Sequence, residues 1–501
     1  MHIQHPLLSA WYQCGDLLCT SIQVPLNHSN PLTMIDIHLV KYPALITPSI
    51  PMIFNPGGSG IGMIEDNYKY FRTVFGDNVD LIGFDPRGVG KSNPVQCGMT
   101  FESYDIQKRK YTFDGVYTPP ANATKQQQSL YNAISEGFSR DCVKYSGEII
   151  DYLSTANVAR DLDLIREFLG VNELNYYGAS YGSFLGLTYA NMFPNKTGKM
   201  ILDGITSPFE YQGDIFAFVR GMHRDYYTTM DKFFEECDRS EYNCKKTKDV
   251  VSAFLDRVEQ EPVGYFNGVY TKFATSSMIK SILGAKGYRP RDWPWFSRIL
   301  VELMDNNAEN FLSIFYPDTS SCSQQSYSAN GEYSHLGITC SDTDIKTTEY
   351  TLDEWIQIAN TESFVNTDSI YYFLRCRTWK RNPHSERYGG PWNRRFKNKI
   401  LLIGNRYDPA TPYSSAKQVE QLVNQDNEQA VLLTLDGYGH VSLSQSSRCI
   451  NNHVKRYIET GELPPKDTIC LPDRPVFPGI NALGVDELEI ALAKIHAKLP
   501  F

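Results

Sequence analysis

The amino-acid sequence predicts an α/β fold in which a mostly parallel sheet is covered by helices on both faces. Short apolar runs of strand length alternate with segments of helical periodicity in the first part of the chain. A similar alternation returns near the C-terminal end, after a long interruption. Short apolar strands that alternate with helices are typical of parallel sheets, because the helices bury both faces of each strand.

The elements of the first part are predicted in order from their apolar patterns. A strand is predicted where residues alternate with period two or where a short apolar run ends in a turn. A helix is predicted where apolar residues recur on one side and a glycine follows. The predicted strands are "IDIHLVKY" (35–42), "IPMIFNPGGSG" (50–60), "VDLIGFDPRGVG" (79–90), "LNYYG" (174–178) and "KMILDGI" (199–205), and the predicted helices are "TANVARDLDLIREFLG" (155–170) and a helix that starts at Ser180.

The middle of the chain interrupts this pattern. Residues 206–395 are rich in aromatic residues and helical periodicity, whereas strand-like runs resume at "KILLIGNRYDPATP" (399–412) and "QAVLLTLDGYGH" (429–440). This order favours one interrupted core over two consecutive domains. We therefore predict a discontinuous α/β core, residues 1–205 and 396–501, with a helical cap inserted over residues 206–395.

Composition and spacing exclude several classes of protein. The chain has 501 residues, 42% hydrophobic and 21% charged, as globular proteins do. Its net charge of −9 argues against nucleic acid as a partner, because phosphate contacts need clustered Lys and Arg. No run approaches 18 apolar residues, so no membrane span is predicted. Neither metal-ligand spacing of Cys and His nor a complete phosphate loop occurs, so we predict no metal and no cofactor.

Cysteines and sequons favour the secretory route. The chain contains eleven cysteines and three N-glycosylation sequons, at Asn27, Asn122 and Asn195. The first residues, "MHIQHPLLSAWYQC", lack the charged and long apolar regions of a signal peptide. We therefore expect either a secreted protein whose signal peptide is absent from this chain, or a cytoplasmic protein with its native start.

The stretch "LNYYGASYGSF" contains the candidate nucleophile, Ser180. It follows a predicted strand and opens a predicted helix, which is the setting of a nucleophile elbow. Gly178 and Gly182 allow the backbone to turn tightly there. The start of the helix also directs N–H groups toward negative charge that develops near the serine.

A serine hydroxyl needs a base and an orienting acid to act as a nucleophile near pH 7. His440, in "DGYGH", is the histidine predicted at the end of a late strand. Asp408 follows the strand "KILLIG" and is ranked first as the acid, ahead of Asp436 and then Asp203. The resulting chain order of serine, acid and base is that of the α/β-hydrolase arrangement.

An acyl-transfer site also needs N–H donors for the oxyanion. The loop "FNPGGSG" (54–60) ends an early strand and brings glycine backbone toward a substrate. We predict the N–H groups of Gly58, with Gly57 as the alternative, and of Tyr181 as the donors. Asp85 and Arg87, in the next turn, are predicted to have a structural role.

Taken together, these motifs resemble the α/β-hydrolases related to prolyl aminopeptidase, and most of all the tripeptidyl-aminopeptidase-like branch of bacteria and filamentous fungi. The resemblance covers nearly the whole chain and is weakest in the predicted cap. Family members often carry proline where Ser59 stands here, and Ile61 and Met63 replace part of a longer glycine run. The motifs that carry the resemblance are "NPGGSG", "DLIGFDPRGVGKSNPVQC", "ARDLDLIREFLG", "YYGASYGSFLGLTYANMFP", "ILDG", "NRYDPATP", "GYGH", "VPLNHSNP" and "CRTW".

The resemblance implies a serine hydrolase with Ser180 as nucleophile, Asp408 as orienting acid and His440 as base. It also implies that an acidic side chain binds the free amine of the substrate, although the sequence does not select among Glu65, Asp66 and Glu210. Short loops could be closed by the neighbouring pairs Cys14–Cys19 and Cys237–Cys244. The resemblance further implies the disulfides Cys97–Cys142, Cys340–Cys376 and Cys449–Cys470, which leaves Cys322 unpaired.

Three functions follow, in order of preference. The first is a serine aminopeptidase that releases short peptides or single residues from N termini through an acyl-enzyme. The second keeps the same machinery but hydrolyses small esters, lactones or amides, as fungal relatives do in secondary metabolism. The third is a catalytically silent binding module, which usually lacks one of the three catalytic side chains.

Overall fold

The structure is a computed structural model of the whole chain. It describes residues 10–58, 68–98, 124–213, 215–240, 248–266, 268, 271–315, 330–343, 351, 354, 357, 372–379 and 386–477.

A ten-stranded mixed sheet forms the centre of the described structure, and two further strands form a separate hairpin. The strand order in the large sheet is β1-β2-β3-β5-β4-β6-β7-β10-β11-β12. The strands are β1 (Tyr12–Cys14), β2 (Leu17–Pro25), β3 (Met34–Tyr42), β4 (Ile50–Asn55), β5 (Val79–Phe84), β6 (Leu174–Ala179), β7 (Thr197–Asp203), β8 (Val263–Phe266), β9 (Thr271–Ala274), β10 (Ile400–Tyr407), β11 (Ala430–Tyr438) and β12 (Ile469–Cys470).

Most neighbouring strands of the large sheet are parallel. The run from β5 through β4, β6, β7, β10 and β11 to β12 is parallel throughout. The N-terminal edge, β1 to β3 and its junction with β5, is antiparallel. The predicted mostly parallel α/β sheet is confirmed, and the antiparallel edge is an addition that the apolar patterns did not predict.

Helices connect the strands and cover both faces of the sheet. Tyr176 of β6 belongs to an apolar cluster with the helices Thr155–Phe168 and Tyr181–Met192, whereas the next residue, Tyr177, belongs to a second cluster with the helices Tyr68–Phe75 and Arg448–Thr460. This alternation explains why the central strands are apolar at nearly every position. The helices are α1 (Tyr68–Phe75), α2 (Lys125–Ser146), α3 (Thr155–Phe168), α4 (Tyr181–Met192), α5 (Pro208–Tyr211), α6 (Ile215–His223), α7 (Tyr226–Arg239), α8 (Lys248–Gln260), α9 (Ser276–Gly287), α10 (Trp293–Met304), α11 (Glu309–Phe315), α12 (Gly331–Asp342), α13 (Tyr413–Val423) and α14 (Arg448–Thr460).

The segment between β7 and β10 contains helices α5 to α12 and the hairpin β8–β9. Helices α7 to α11 share an apolar cluster separate from the two that flank the sheet. The hairpin was not expected in a segment with helical periodicity. The division into core and cap stays a prediction.

Disulfides join several of these elements. Cys237 is disulfide-bonded. Its predicted partner, Cys244, lies outside the described residues, as does Cys322, which was predicted to be unpaired. The three disulfides that the resemblance implies are confirmed. The predicted disulfide Cys14–Cys19, which closes a short N-terminal loop, is confirmed as well. The disulfides in the described residues are Cys14–Cys19, Cys97–Cys142, Cys340–Cys376 and Cys449–Cys470.

Among the described residues, no helix combines the length and the apolar character that crossing a membrane requires.

Candidate active site

Ser180 lies at the sharp turn between β6 and α4. Its backbone has a φ of 56° and a ψ of −124°, a conformation that residues with a side chain adopt at a cost. Glycines make the turn possible, since a Cβ at Gly178 would lie 2.2 Å from the Gly182 carbonyl oxygen, and one at Gly182 would lie 2.7 Å from the Asn55 carbonyl oxygen. The elbow therefore places Ser180 at the carboxyl end of a central strand and at the start of a helix.

His440 lies directly after β11, in a loop with two positive φ angles. Gly439 has a φ of 85° and Val441 a φ of 60°, which is unusual for a β-branched residue. Asn405 of β10 donates from Nδ2 to the carbonyl oxygens of Gly439 and Val441, over 2.9 and 2.7 Å. The neighbouring strand thus holds the loop that carries His440.

Asp408 lies directly after β10 and contacts the His440 ring. Its Oδ1 is 2.9 Å from His440 Nδ1, so Nδ1 carries the proton and Nε2 points away from the carboxylate. The buried carboxylate also accepts hydrogen bonds of 2.8–2.9 Å from the N–H groups of Ala410, Thr411 and Val441 and from the Thr411 hydroxyl. Burial alone would raise the pKa of Asp408, but the charge and hydrogen bond of His440, with the backbone donors, outweigh it and lower this pKa.

The two lower-ranked acids have other partners. Asp436 pairs with a neighbouring arginine, over 3.1 Å, and both side chains are half-exposed. Asp203 is buried and accepts hydrogen bonds from the Tyr177 hydroxyl at 2.5 Å and the Ser442 hydroxyl at 2.6 Å. Asp203 therefore supports the chain that follows His440, and burial raises its pKa.

The glycine loop after β4 approaches the elbow closely. Gly57 has a φ of 91°, and a Cβ there would lie 2.3 Å from the Ala179 carbonyl oxygen. The Gly57 N–H donates to Asn55 Oδ1 over 2.9 Å, so this donor is already used. Gly58 lines the same cavity as Ser180. The positions that depart from the family pattern lie outside the described residues: Ser59, Ile61 and Met63.

A cavity of about 110 Å³ brings these groups together. Ser180, Tyr181, His440 and Gly58 line it, at the carboxyl ends of the parallel strands. Other walls come from the segment between β7 and β10, through Glu210, Tyr211, Phe218, Tyr288 and His335.

Glu210 is the cavity's acidic side chain among the described residues, and it is already partly paired. The Arg224 guanidinium contacts Glu210 Oε1, and Ser415 Oγ donates to Oε2 over 3.0 Å. The other two candidate amine-binding acids, Glu65 and Asp66, lie outside the described residues.

Tyr288 is a neighbour of His440 that the sequence analysis missed. Its ring packs edge-on against the imidazole at a centroid distance of 5.0 Å. Its carbonyl oxygen accepts the His440 N–H over 3.1 Å. A tyrosine after a helix in an aromatic segment carries no signal that would single it out. Thr411, by contrast, follows Asp408 by three residues and is recognisable as a local hydroxyl partner.

Asp85 and Arg87 have structural contacts away from the cavity. Asp85 accepts the Lys91 N–H over 2.8 Å. Arg87 is fully buried, binds both oxygens of Asp161 of α3 over 2.7 Å and donates to the Leu26 carbonyl oxygen over 2.8 Å. These bonds tie the turn after β5 to α3 and to the end of β2.

One group within the described part of the chain has metal-ligand spacing. Ligand atoms of Cys449, His453 and Cys470 lie within 4.8 Å of one another. The two cysteines form a disulfide, whereas a metal ligand must be a thiolate. The group therefore offers only the imidazole as a ligand.

Comparisons with known proteins agree with this geometry. Residues 50–256 match the alpha/beta hydrolase fold family, and residues 362–470 match the family described as TAP-like protein. The tripeptidyl aminopeptidase of Streptomyces lividans is 25% identical over 440 residues, which cover 84% of this chain and 76% of that protein.

Two mycobacterial proteins are also similar. Serine protease Hip1 of Mycobacterium tuberculosis is 27% identical over 480 residues, 91% of this chain and 88% of that protein. Carboxylesterase B of the same organism is 26% identical over 502 residues, 92% of this chain and 90% of that protein. With an elbow after β6, an acid after β10 and a histidine after β11 of a mostly parallel sheet, the chain has the α/β-hydrolase fold, and the matched families and relatives support its TAP-like branch.

Proposed function

We propose that this protein is a serine peptidase that releases short peptides or single residues from the N termini of its substrates. The observation that carries the proposal is the Asp408–His440 pair, 2.9 Å apart, whose histidine lines the same cavity as Ser180. The relatives named tripeptidyl aminopeptidase and serine protease support the choice of peptide substrates.

Acylation begins with Ser180 and His440. His440 Nε2 takes the hydroxyl proton while Ser180 Oγ attacks the scissile carbonyl carbon. Asp408 orients the ring through Nδ1 and stabilises the imidazolium that forms. Because its pKa is lowered, Asp408 stays a carboxylate throughout the neutral range.

The tetrahedral intermediate needs two N–H donors. Tyr181 is the first residue of α4, so its N–H has no acceptor within the helix. Gly57 donates to Asn55, which favours Gly58 over Gly57 as the second donor. We assign the oxyanion hole to Gly58 and Tyr181, and the start of α4 adds favourable helix-dipole charge.

Collapse of the intermediate breaks the peptide bond. His440 gives its proton to the leaving amine, and the acyl group stays on Ser180 Oγ. Water, activated by the same imidazole, then hydrolyses the ester and restores the free serine.

The proposal is tested with Ser180→Ala and a library of peptides. We expect the wild type to react with a fluorophosphonate probe and to shorten peptides from the N terminus, as read by mass spectrometry. The S180A variant should do neither. Probe labelling that persists in S180A would overturn the assignment of the nucleophile.

A second candidate keeps the same residues and changes the substrate. The carboxylesterase B relative favours hydrolysis of small esters, lactones or amides. Simple esters are therefore assayed beside aminoacyl- and peptidyl-anilides, and turnover of the esters alone would select this candidate. A correctly folded protein that is inactive on the whole panel would instead support a binding module.

We also propose that the protein is secreted and glycosylated. Its disulfides are those of an oxidising compartment. Asn195 is exposed, whereas Asn27 is half-buried and accepts the Ser29 N–H. Expressed through a eukaryotic secretory route, the wild type should lose mass on treatment with an N-glycosidase. The sequon at Asn122 lies outside the described residues. Asn195→Gln should reduce the shift by the mass of one glycan, and an unchanged shift would contradict the site.

A further inference from the structure

Asp203, the last residue of β7, is a fully buried acid that the mechanism above does not use. Its main chain joins the elbow, because its carbonyl oxygen accepts the Ser180 N–H over 2.8 Å. In the sheet it is paired on one side with Ala179, the residue before the candidate nucleophile, and on the other side with Ile403 of β10. It therefore lies between the strand that leads to the nucleophile and the strand that leads to Asp408.

The side chain of Asp203 holds the loop that carries His440. The Ser442 N–H donates to Oδ1 over 2.9 Å, and the Ser442 hydroxyl donates to Oδ2 over 2.6 Å. The N–H group one residue earlier, that of Val441, donates to Asp408 Oδ2 over 2.9 Å. Carboxyl groups from the ends of two neighbouring strands thus accept the two N–H groups that follow His440.

The turn after β7 makes a second connection between the elbow and this loop. Ser183 Oγ lies within hydrogen-bond distance of the carbonyl oxygens of Ser180, at 2.6 Å, and Gly204, at 3.0 Å. Gly204 has a φ of 64°, and a Cβ there would lie 2.6 Å from Val441 Cγ1. The turn therefore contacts both the elbow and the residue after the histidine, with no space for an added methyl group.

We infer that Asp203 is a positioning residue that sets the separation of Ser180 and His440, through its main chain on the elbow and its carboxyl group on the histidine loop. The inference rests on the proposed function, in which His440 takes the proton of Ser180. Proton transfer requires the imidazole within hydrogen-bond reach of the hydroxyl, and a misplacement of about 1 Å can cost about 100-fold in rate. Because acyl transfer to any substrate uses the same pair, the role of Asp203 does not depend on whether the substrate is a peptide or an ester.

Four variants separate positioning from folding. Asp203→Ala removes both acceptor oxygens, whereas Asp203→Asn keeps one oxygen for the Ser442 N–H and sets an amide group beside the hydroxyls. Ser442→Ala removes only the hydroxyl bond to the carboxyl group. Tyr189→Phe is the matched control, since it removes a buried hydroxyl that donates to a different buried carboxylate, Asp163, over 3.2 Å. Tyr189 lies about 12 Å along α4 from the first residue of that helix.

Each variant is compared with the wild type on Ala-Ala-Ala-p-nitroanilide and on p-nitrophenyl acetate, and by the rate of fluorophosphonate labelling. For S442A we expect kcat to fall about 10-fold on both substrates, as for loss of one buried hydrogen bond, and KM to stay within about threefold. D203A should lose about 100-fold in kcat, and D203N should recover most of that loss. Y189F should keep kcat within about twofold, although its midpoint of unfolding in urea should fall about as far as that of S442A. The labelling rate should follow kcat in every variant.

The outcomes distinguish the two claims. A kcat of S442A equal to that of Y189F, or a loss confined to KM, overturns the positioning role and leaves the peptidase function standing. S442A decides this point even if D203A does not fold. A wild type that hydrolyses the acetate but not the anilide overturns the peptidase function, and the acetate alone then tests the role of Asp203.

Discussion

Ser180 and Val441 both have positive φ angles, of 56° and 60°. Each is held through its own backbone N–H: the Asp203 carbonyl oxygen accepts from Ser180 over 2.8 Å, and the side-chain Oδ2 of Asp408 accepts from Val441 over 2.9 Å. Conformations of this kind cost about 1–3 kcal/mol and persist only where the surroundings enforce them. Small changes beside these residues should therefore impair the reaction more than folding.

Gly57→Ala tests the close approach of the glycine loop to the elbow. The new Cβ would lie 2.3 Å from the Ala179 carbonyl oxygen and 2.7 Å from Ser180 Cβ, so the elbow or the loop must move. We expect kcat/KM to fall by roughly 100-fold, because catalysis is sensitive to shifts near 1 Å. Gly15→Ala is the control, with a φ of 65° but no atom within 4 Å of its Cβ. Equal activity of the two variants would contradict the prediction.

Asp408→Asn tests the orienting acid. The NH₂ group of asparagine would face N–H groups that donate hydrogen bonds to the carboxylate in the wild type. The wrong histidine tautomer is therefore favoured. By analogy with other serine hydrolase triads, kcat should fall by roughly 10³-fold to 10⁴-fold. Asp436→Asn, which loses only a half-exposed ion pair, should stay within about threefold. Comparable losses in both variants would overturn the choice of acid.

The same variant carries a prediction about pH. The folded-state pKa of Asp408 lies below its ordinary value of 3.8, so its ionised form stabilises the fold at higher pH. This contribution is complete above about pH 4 to 5 and is lost as the pH falls through the folded-state pKa. The difference in free energy of unfolding between wild type and D408N should therefore shrink in acid. A difference that grew in acid would contradict it.

At the scale of elements, the segment that follows α9 packs against the loop after β11. Tyr288 contacts His440 through both its ring and its carbonyl oxygen. A Cβ at Gly439 would lie only 2.4 Å from Pro290 Cδ, so the two chains pass at close range. The position of the imidazole therefore depends on a segment distant from it in sequence.

Tyr288→Ala removes the ring that packs against the imidazole and keeps the backbone bond. We expect kcat to fall about 10-fold, because the imidazole gains freedom of movement and contact with water. Tyr288→Phe retains the edge-on contact and should stay within about twofold. If Y288F fell as far as Y288A, the hydroxyl rather than the ring contact would be responsible.

Arg87 joins three elements from a fully buried position. Removing one partner of a buried pair leaves the other uncompensated, at a cost of about 3–5 kcal/mol. Arg87→Met should lower the apparent free energy of unfolding in urea by up to about that amount, since Asp161 loses two hydrogen bonds of 2.7 Å and keeps only the His28 imidazole, 2.9 Å away, as a side-chain partner. Arg448→Met breaks an exposed pair with Asp473 and should cost less than about 1 kcal/mol. Similar costs for the two variants would contradict the prediction.

Over the whole molecule, strand order decides how the candidate site is assembled. Strands β6, β7, β10 and β11 are successive neighbours and parallel. Their carboxyl ends therefore lie along one edge, where ligands of open α/β sheets bind. Ser180, Asp408 and His440 each follow one of these strands, which explains how Ser180 and His440 line one cavity and how Asp408 contacts His440 behind it.

The disulfides act on the whole molecule through its unfolded state. Cys97–Cys142 spans 45 residues and Cys14–Cys19 spans 5. In the chain-entropy account, the double alanine variants should lose about 4 and about 2 kcal/mol of stability, respectively. Chemical unfolding measures both losses, and fluorophosphonate labelling should persist in each folded variant. A larger loss for the short loop would contradict the loop-length argument.

Much of this protein could be predicted from local patterns. The strands and helices that carry Ser180, Asp408 and His440 have short apolar runs, glycine turns and helical periodicity, and each of these signals lies within about fifteen residues. The hairpin β8–β9 was missed because each of its strands is only four residues long, and the antiparallel edge was missed because apolar patterns carry no information on strand direction. The glycine-loop departures at 59–63 lie outside the described residues.

The sequence by itself determined the α/β class, the serine elbow and the chain order of serine, acid and histidine, because backbone preference and apolar periodicity are local properties. Only the tertiary structure decided that Asp408, rather than Asp203 or Asp436, contacts His440, and that the Gly57 N–H is already used by Asn55. It alone placed Tyr288 against the imidazole and His335 at the cavity wall. The physical reason is that hydrogen bonds and ring contacts act over a few ångströms, and such distances between remote residues exist only after the chain has folded.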